Sequence, residues 1–176
     1  MVTSGMRDPR PHTGEPPALD LLNTRWAGAT PGDLLTDLDG LRLWLELTGL
    51  ADRVPVDEHT LTALHAARDA VHAAVTTADH AALNRVLDRG RLRRELTDDG
   101  PRDTPEVADP AWLPGWLAAD NLLHLIAEAP HRIRQCAHPD CVLFFYDTSK
   151  NGTRRWHSMA TCGNRTKAAR HYAKSS

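Results

Sequence analysis

Four side chains in the last quarter of this 176-residue chain have types and spacing that can do chemistry: Cys136, Cys141, His157 and Cys162, arranged Cys-x4-Cys-x15-His-x4-Cys. Thiolates and imidazole are soft to borderline donors, and four of them bracketing one short segment suit a closed tetrahedral zinc site. With all four positions taken by protein there is no place for a water nucleophile, so one Zn2+ per chain is expected in a structural role. Other readings stay open on the residues alone. Cys136 and Cys141 could form a redox couple, although they lack the two-residue spacing of thioredoxin-like motifs. An iron–sulfur cluster would want a fourth thiolate, a catalytic zinc would need one donor to withdraw, and three cysteines could simply be core residues. His138, inside the first knuckle, would have to displace His157 or Cys162 and is left outside the set.

The elements that must position these donors begin with a change of pattern after Arg132. Val142-Leu-Phe-Phe-Tyr146 is a β-prone run, and Asp147-Thr-Ser-Lys-Asn-Gly152 carries an Asn-Gly turn signal, which predicts a hairpin closing there. The Ala-rich, charged stretch after Gly163 predicts a terminal helix. A hairpin and helix of roughly 40 residues has too small a core to fold alone, and metal binding can supply the missing free energy.

Upstream, residues 1–17 hold four prolines and two glycines and are expected to be a flexible N-terminus, mobile or extended on the surface. Helical spacing then follows in Leu19, Leu22 and Trp26, and in the stripe Leu34, Leu38, Leu41 and Leu45 that Gly49 stops. Leu61, Leu64, Val71 and Val75 form the buried row of a long segment with Asp57 as its N-cap. A shorter helix with Leu83, Val86 and Leu87 inside is capped by Asp79 and ended by Gly90. Residues 97–110, with three prolines and five acids, read as a loop, and residues 112–129 as another helix closed by Pro130. The expected fold is therefore mainly α: a helical bundle over residues 18–130, followed at 131–176 by a small zinc-stabilised β-hairpin plus helix.

The second segment also resembles a known family. Cys162-Gly163-Asn164-Arg165, together with Cys136, Cys141, Phe144, Asp147-Thr-Ser149, Arg154-Arg-Trp156 and Ser158-Met159, is similar to the CGNR zinc finger, named for that tetrad. Leu19-Asp-Leu-Leu-Asn-Thr24, with Trp44-Leu45 and Gly49-Leu50, is similar to the opening of the helical ABATE region that precedes the finger in that family. The two resemblances span roughly residues 14–174 and imply a zinc-binding, stress-induced regulator of transcription. In the family a cysteine commonly stands where this chain has His157; a Cys3His set remains a zinc site, less anionic by one unit.

Charge agrees with a nucleic-acid partner for the finger. The formal net charge is only −2, but residues 131–176 carry 9 Lys and Arg against 2 Asp and Glu, whereas residues 1–130 carry 12 against 21. Cations neutralise phosphates and release condensed counterions. The expected DNA contacts are Arg154, Arg155, Asn164, Arg165, Lys167, Arg170 and Lys174, with Asn164 or an arginine reading base edges and the lysines positioning phosphates. One of Arg154 and Arg155 could instead hold Asp147 and stack on an aromatic ring, and Arg165 could brace the knuckle. The alternative function is a protein-interaction module whose basic helix docks on an acidic surface, such as the N-terminal domain of a second copy in a homodimer.

The acidic domain is expected to sense a small-molecule effector, with Asn23, Thr24 and Trp26 as candidate pocket residues; capping and packing of the first helix would explain them equally. His65, Asp69 and His72 share a helical face without a strong case for a second metal. No Gly-rich phosphate loop, nucleophile elbow or Ser-His-Asp set is present, so no enzyme activity is expected. No apolar run reaches the roughly 18 residues of a membrane span and no apolar signal core opens the chain, so a soluble, cytoplasmic protein is expected.

Overall fold

Aspartates set where the helices begin. In the computed structural model, which describes residues 7–28 and 30–167, Asp37 accepts from Gly40 N–H at 2.9 Å to open α2 (Leu38–Leu47), and Asp57 accepts from Thr60 N–H at 2.8 Å to open α3 (Glu58–Thr76). The extended backbone of Asp37 separates α2 from a 3-10 turn at Leu34–Thr36, so the leucine stripe from Leu34 to Leu45 crosses two elements rather than one helix. Gly49, at φ +70°, reverses the chain after α2 at no side-chain cost. Ahead of α4 (Ala81–Leu87), Asp79 accepts from Ala81 N–H although His80 holds the cap position. α5 (Leu113–Glu128) follows a 3-10 turn at Pro110–Trp112 and carries Pro114 in its first turn, where no intrahelical N–H is needed.

Short α1 (Pro17–Leu22) packs on α3 and α5, and α4 packs on α3 and α5. Leu19, Leu21, Leu64, Val71 and Leu122 are fully buried at the centre. Close approach of α3 and α5 depends on Gly115, where a Cβ would lie 2.5 Å from the Ala67 methyl. A charge also penetrates this core. Arg68, only 5% exposed, donates to both Asp33 oxygens at 2.7 and 2.8 Å and to Thr24 Oγ1 at 2.8 Å, tying α3 to the strand pair β1 (Arg25–Trp26) and β2 (Gly32–Asp33).

The sequence reading is corrected at residues 97–110. β3 (Gly90–Thr97) and β4 (Gly100–Val107), eight residues each, form an antiparallel hairpin around Asp98-Asp99, with Leu96 opposite Pro101 and Leu92 opposite Pro105. In a ladder closed by a two-residue turn, Thr97 and Gly100 are a hydrogen-bonded pair, and alternation puts both prolines at positions that donate nothing. One face pairs arginines with acids, as in Arg91 and Arg93 with Glu106, and the other carries Leu92, Leu96, Pro101 and Pro105 around the Arg94–Asp103 pair.

Residues 7–16 have little regular structure but are held. The guanidinium of Arg10 binds Asp8 and, at 2.9 Å, Asp20, and Trp44 Nε1 donates to the same Asp20 oxygen at 3.0 Å. The boundary expected at residue 17 is therefore not one between a loose tail and a folded body: the segment is pinned to α1 and α2. Among the described residues, no helix is long and apolar enough to cross a membrane.

Candidate metal centre

The finger is built on β5 (Ile133–Gln135) and β6 (Phe144–Tyr146), paired antiparallel with Ile133 opposite Tyr146 and Gln135 opposite Phe144. The expected hairpin closing at Asn151-Gly152 is thus corrected. β6 pairs backward with β5, and the Cys136–Cys141 knuckle is the connection between them. Cys136 N–H donates to Leu143 O at 2.9 Å and Cys141 N–H to His138 O at 3.0 Å, which fold the loop so that both thiols face inward. Gly152, at φ +60°, still makes a turn, but the chain that leaves it returns to the knuckle through Ala137 N–H to Arg155 O at 2.8 Å, and this delivers His157. Cys162 rides on a wide π-type turn, Met159–Gly163, whose entry is capped by Ser158 Oγ accepting from Thr161 N–H. Helical residues 164–167 follow.

Cys136, Cys141, His157 and Cys162 converge, all buried, with their donor atoms within 4.8 Å of one another. Donors at the corners of a tetrahedron with Zn–S bonds of about 2.3 Å stand about 3.8 Å apart, so the four fit a single ion. Cys141 Sγ lies 3.5 Å from His157 Nδ1, which identifies that nitrogen as the inward one. Burial, and then the charges of Cys136 and Cys162, push the Cys141 thiol up to about 12; burial also raises Cys162. Three thiolates this close need a cation. Burial, helped by the neighbouring His12 and Arg154, lowers His157 to about 4, leaving a neutral imidazole ready to ligate at ordinary pH. The set holds one structural zinc ion. His138 stays outside it, its Nδ1 accepting from Asp140 N–H at 3.2 Å.

Around the donors, Leu143 completes a small buried cluster against which Trp26 and Trp156 pack. A second layer of polar contacts fixes the ligand-bearing loops. Asp147, fully buried, accepts from Ser149 N–H and Arg154 N–H, each at 2.9 Å; burial would raise its carboxyl, but these bonds hold it below the usual carboxylate range. Arg154 stacks 4.6 Å over the Phe145 ring and donates to the carbonyls of Trp156 and His157. Its expected place among the DNA contacts is corrected: it is half-buried and braces the loop that carries His157. Arg155 is exposed and stacks 5.3 Å over Trp156, and Asn164, Arg165 and Lys167 are exposed immediately behind Cys162. Arg170 and Lys174, with the rest of the expected terminal helix, lie outside the described residues.

The pocket expectation is corrected at Asn23 and Thr24, whereas Trp26 lines a small cavity beside Cys141, His157 and Cys162. Asn23 and Thr24 are fully buried: Asn23 bonds the Phe144 backbone, and Thr24 Oγ1 donates to Leu21 O while accepting from Arg68. Trp26 lies over Gly32 and donates from Nε1 to Thr30 O at 2.8 Å. His65 is bound to Leu35 O at 2.7 Å, the His72 ring meets the edge of Phe144, and no metal-ligand group forms there among the described residues.

Two residues that matter to the centre escaped the sequence reading. The ring of His12 lies 4.9 Å from that of His157, and Glu15 Oε2 accepts from Tyr146 N–H at 2.8 Å. Both come from the proline-rich N-terminal segment, and no local spacing advertises them.

Comparison with known families gives two matches. A model described as "Putative stress-induced transcription regulator", the ABATE domain, matches residues 15–129, and the CGNR zinc finger matches residues 132–175. No curated protein matches the chain.

Proposed function

We propose, for a chain that belongs to the ABATE family, described as "Putative stress-induced transcription regulator", and carries a CGNR zinc finger, that the zinc-folded tail binds duplex DNA and that the acidic helical domain senses a small effector. The observation that carries this reading is the exposure of Asn164, Arg165 and Lys167 on the helix start immediately behind Cys162, with Arg155 exposed on the loop that leads to His157. Zinc fixes Cys162, Cys162 fixes its turn, and the turn sets the direction in which Asn164, Arg165 and Lys167 project. Cations there would neutralise phosphates, and Asn164 has the carboxamide geometry that reads adenine edges. With four protein donors on the metal, the zinc supplies architecture rather than a Lewis-acid centre, and we propose no catalytic step.

A second reading is favoured by the arginines that are already engaged. Arg132 donates to Asp147 O and Ser149 O, Arg134 to His131 O and Gly152 O, and Arg154 to two loop carbonyls. If so much of the finger's positive charge is architectural, the remainder could dock on the acidic domain of a second copy, making a homodimer. Selection of bound duplexes from a random DNA pool, with zinc and after chelation, separates the two. Zinc-dependent enrichment supports DNA binding, and no enrichment with a dimer in solution favours the interaction module.

A further inference from the structure

We infer that a cavity between the N-terminal segment and helices α1, α2 and α5 is the effector site, and that it takes a small organic cation with an apolar body. The inference rests on the sensing half of the reading above and gives it a place and a ligand class. The cavity measures about 610 Å3, the size of ordinary small-molecule sites. It lies away from Asn23 and Thr24. Its apolar wall is Trp44, Leu47, Leu50 and Leu117, with Leu47 51% exposed toward it and solvent.

Charge selects the ligand. Asp8, Glu15, Asp20 and Asp120 line the cavity against one guanidinium, Arg10. Arg10 is occupied by Asp8 and Asp20, so it offers little to an anion. Asp120 meets only His124, at 3.5 Å, among the described residues, and is the carboxylate placed to receive an ammonium or guanidinium group. An anionic ligand would meet four carboxylates with a single guanidinium among them, in a site walled by low-dielectric side chains.

The same lining reaches the zinc finger. Glu15 contributes to the cavity, and its carboxylate oxygens bind His12 Nε2 and Tyr146 N–H, both at 2.8 Å. His12 in turn lies against the ligand His157. A cation held by Asp120 in the same cavity therefore braces the segment that packs against the metal site, and occupancy is felt as slower zinc loss.

The test uses the full-length zinc-loaded protein without DNA, so its outcome is independent of whether the finger binds DNA. Calorimetric titration compares a panel of primary amines and guanidines on aryl or alkyl bodies, tryptamine among them, with carboxylates of the same bodies, such as indole-3-acetate. At least one cation is expected to bind below about 1 mM and at least tenfold tighter than its carboxylate counterpart. Asp120→Asn should weaken it about tenfold while leaving zinc content and circular dichroism unchanged. The bound cation should also slow zinc transfer to a chelator at least twofold. A panel with no cation binding below 1 mM, carboxylates binding as well as amines, Asp120→Asn without effect, or equal zinc-transfer rates would each overturn the proposal.

Discussion

The Asn23 carboxamide and the Phe144 backbone satisfy each other at both ends: Asn23 Nδ2 donates to Phe144 O at 2.9 Å, and Phe144 N–H donates to Asn23 Oδ1 at 2.8 Å. Asn23 caps the C-terminus of α1, and Phe144 opens β6 of the finger, so one buried side chain replaces a strand at the sheet edge and joins the two family regions. Asn23→Ala should cost about 3 kcal/mol, because two buried backbone groups lose their partners. Urea unfolding followed by tryptophan fluorescence measures this. An unchanged midpoint would mean the finger is only loosely seated.

Arg68 makes a second long-range joint. Burial would raise the Asp33 carboxyl, but the Arg68 guanidinium, Leu35 N–H and Arg25 outweigh it and hold the group below its ordinary value. A depressed folded-state value means that this contribution is present above the unfolded value, about 4, and is lost as pH falls through the lower folded value. Arg68→Met should therefore cost about 3 kcal/mol at pH 7 and show a shallower loss of stability below pH 4 than the parent. Denaturant midpoints measured from pH 2.5 to 7 check both parts.

Zinc uptake should release about three protons per ion at pH 7. A thiol is ordinarily protonated there, and burial raises Cys141 to about 12 and Cys162 in the same direction, whereas His157, lowered to about 4, is already neutral. Calorimetry in buffers of different ionisation enthalpy counts the protons. Cys136→Ala and Cys162→Ala should each abolish stoichiometric zinc binding.

The adjacent arginines Arg154 and Arg155 should behave differently. Arg154→Gln removes two charge-assisted bonds and a ring contact, so a loss of about 2 kcal/mol and faster zinc release are expected. Arg155→Gln alters an exposed side chain over Trp156 and should leave stability within about 0.5 kcal/mol while weakening DNA binding. Equal effects on zinc release would contradict this division of labour.

Legibility in the sequence followed the range of the interaction. Asp57 as an N-cap, Gly49 as a stop and the four zinc donors are written in local residue types and spacing, and a cysteine pair beside a turn has few structural uses. The hairpin at residues 90–107 was illegible because Arg94 interrupts the face that carries Leu92 and Leu96, its partner strand holds Pro101, Asp103 and Pro105 there, and Leu96, at 83% exposure, gives no buried face to detect. Asn151-Gly152 misled for a related reason: it makes a turn, but β6 had already found its partner across the knuckle. The contacts of Asn23 with Phe144, Glu15 with Tyr146 and His12 with His157 join opposite ends of the chain, where no periodicity reaches. They also explain why Asn23, singled out as a pocket residue, proves to be a joint.

The central claim, that zinc builds a DNA-binding tail, is tested most directly by the salt dependence of duplex binding to the full-length zinc-loaded protein. Contacts from Arg155, Arg165 and Lys167 to three phosphates predict a slope of log K against log salt of about −2.7 or steeper, and Lys167→Glu should make it shallower by about 1. Stoichiometric zinc with no measurable duplex binding at low salt, or binding with a slope near zero, would contradict the account.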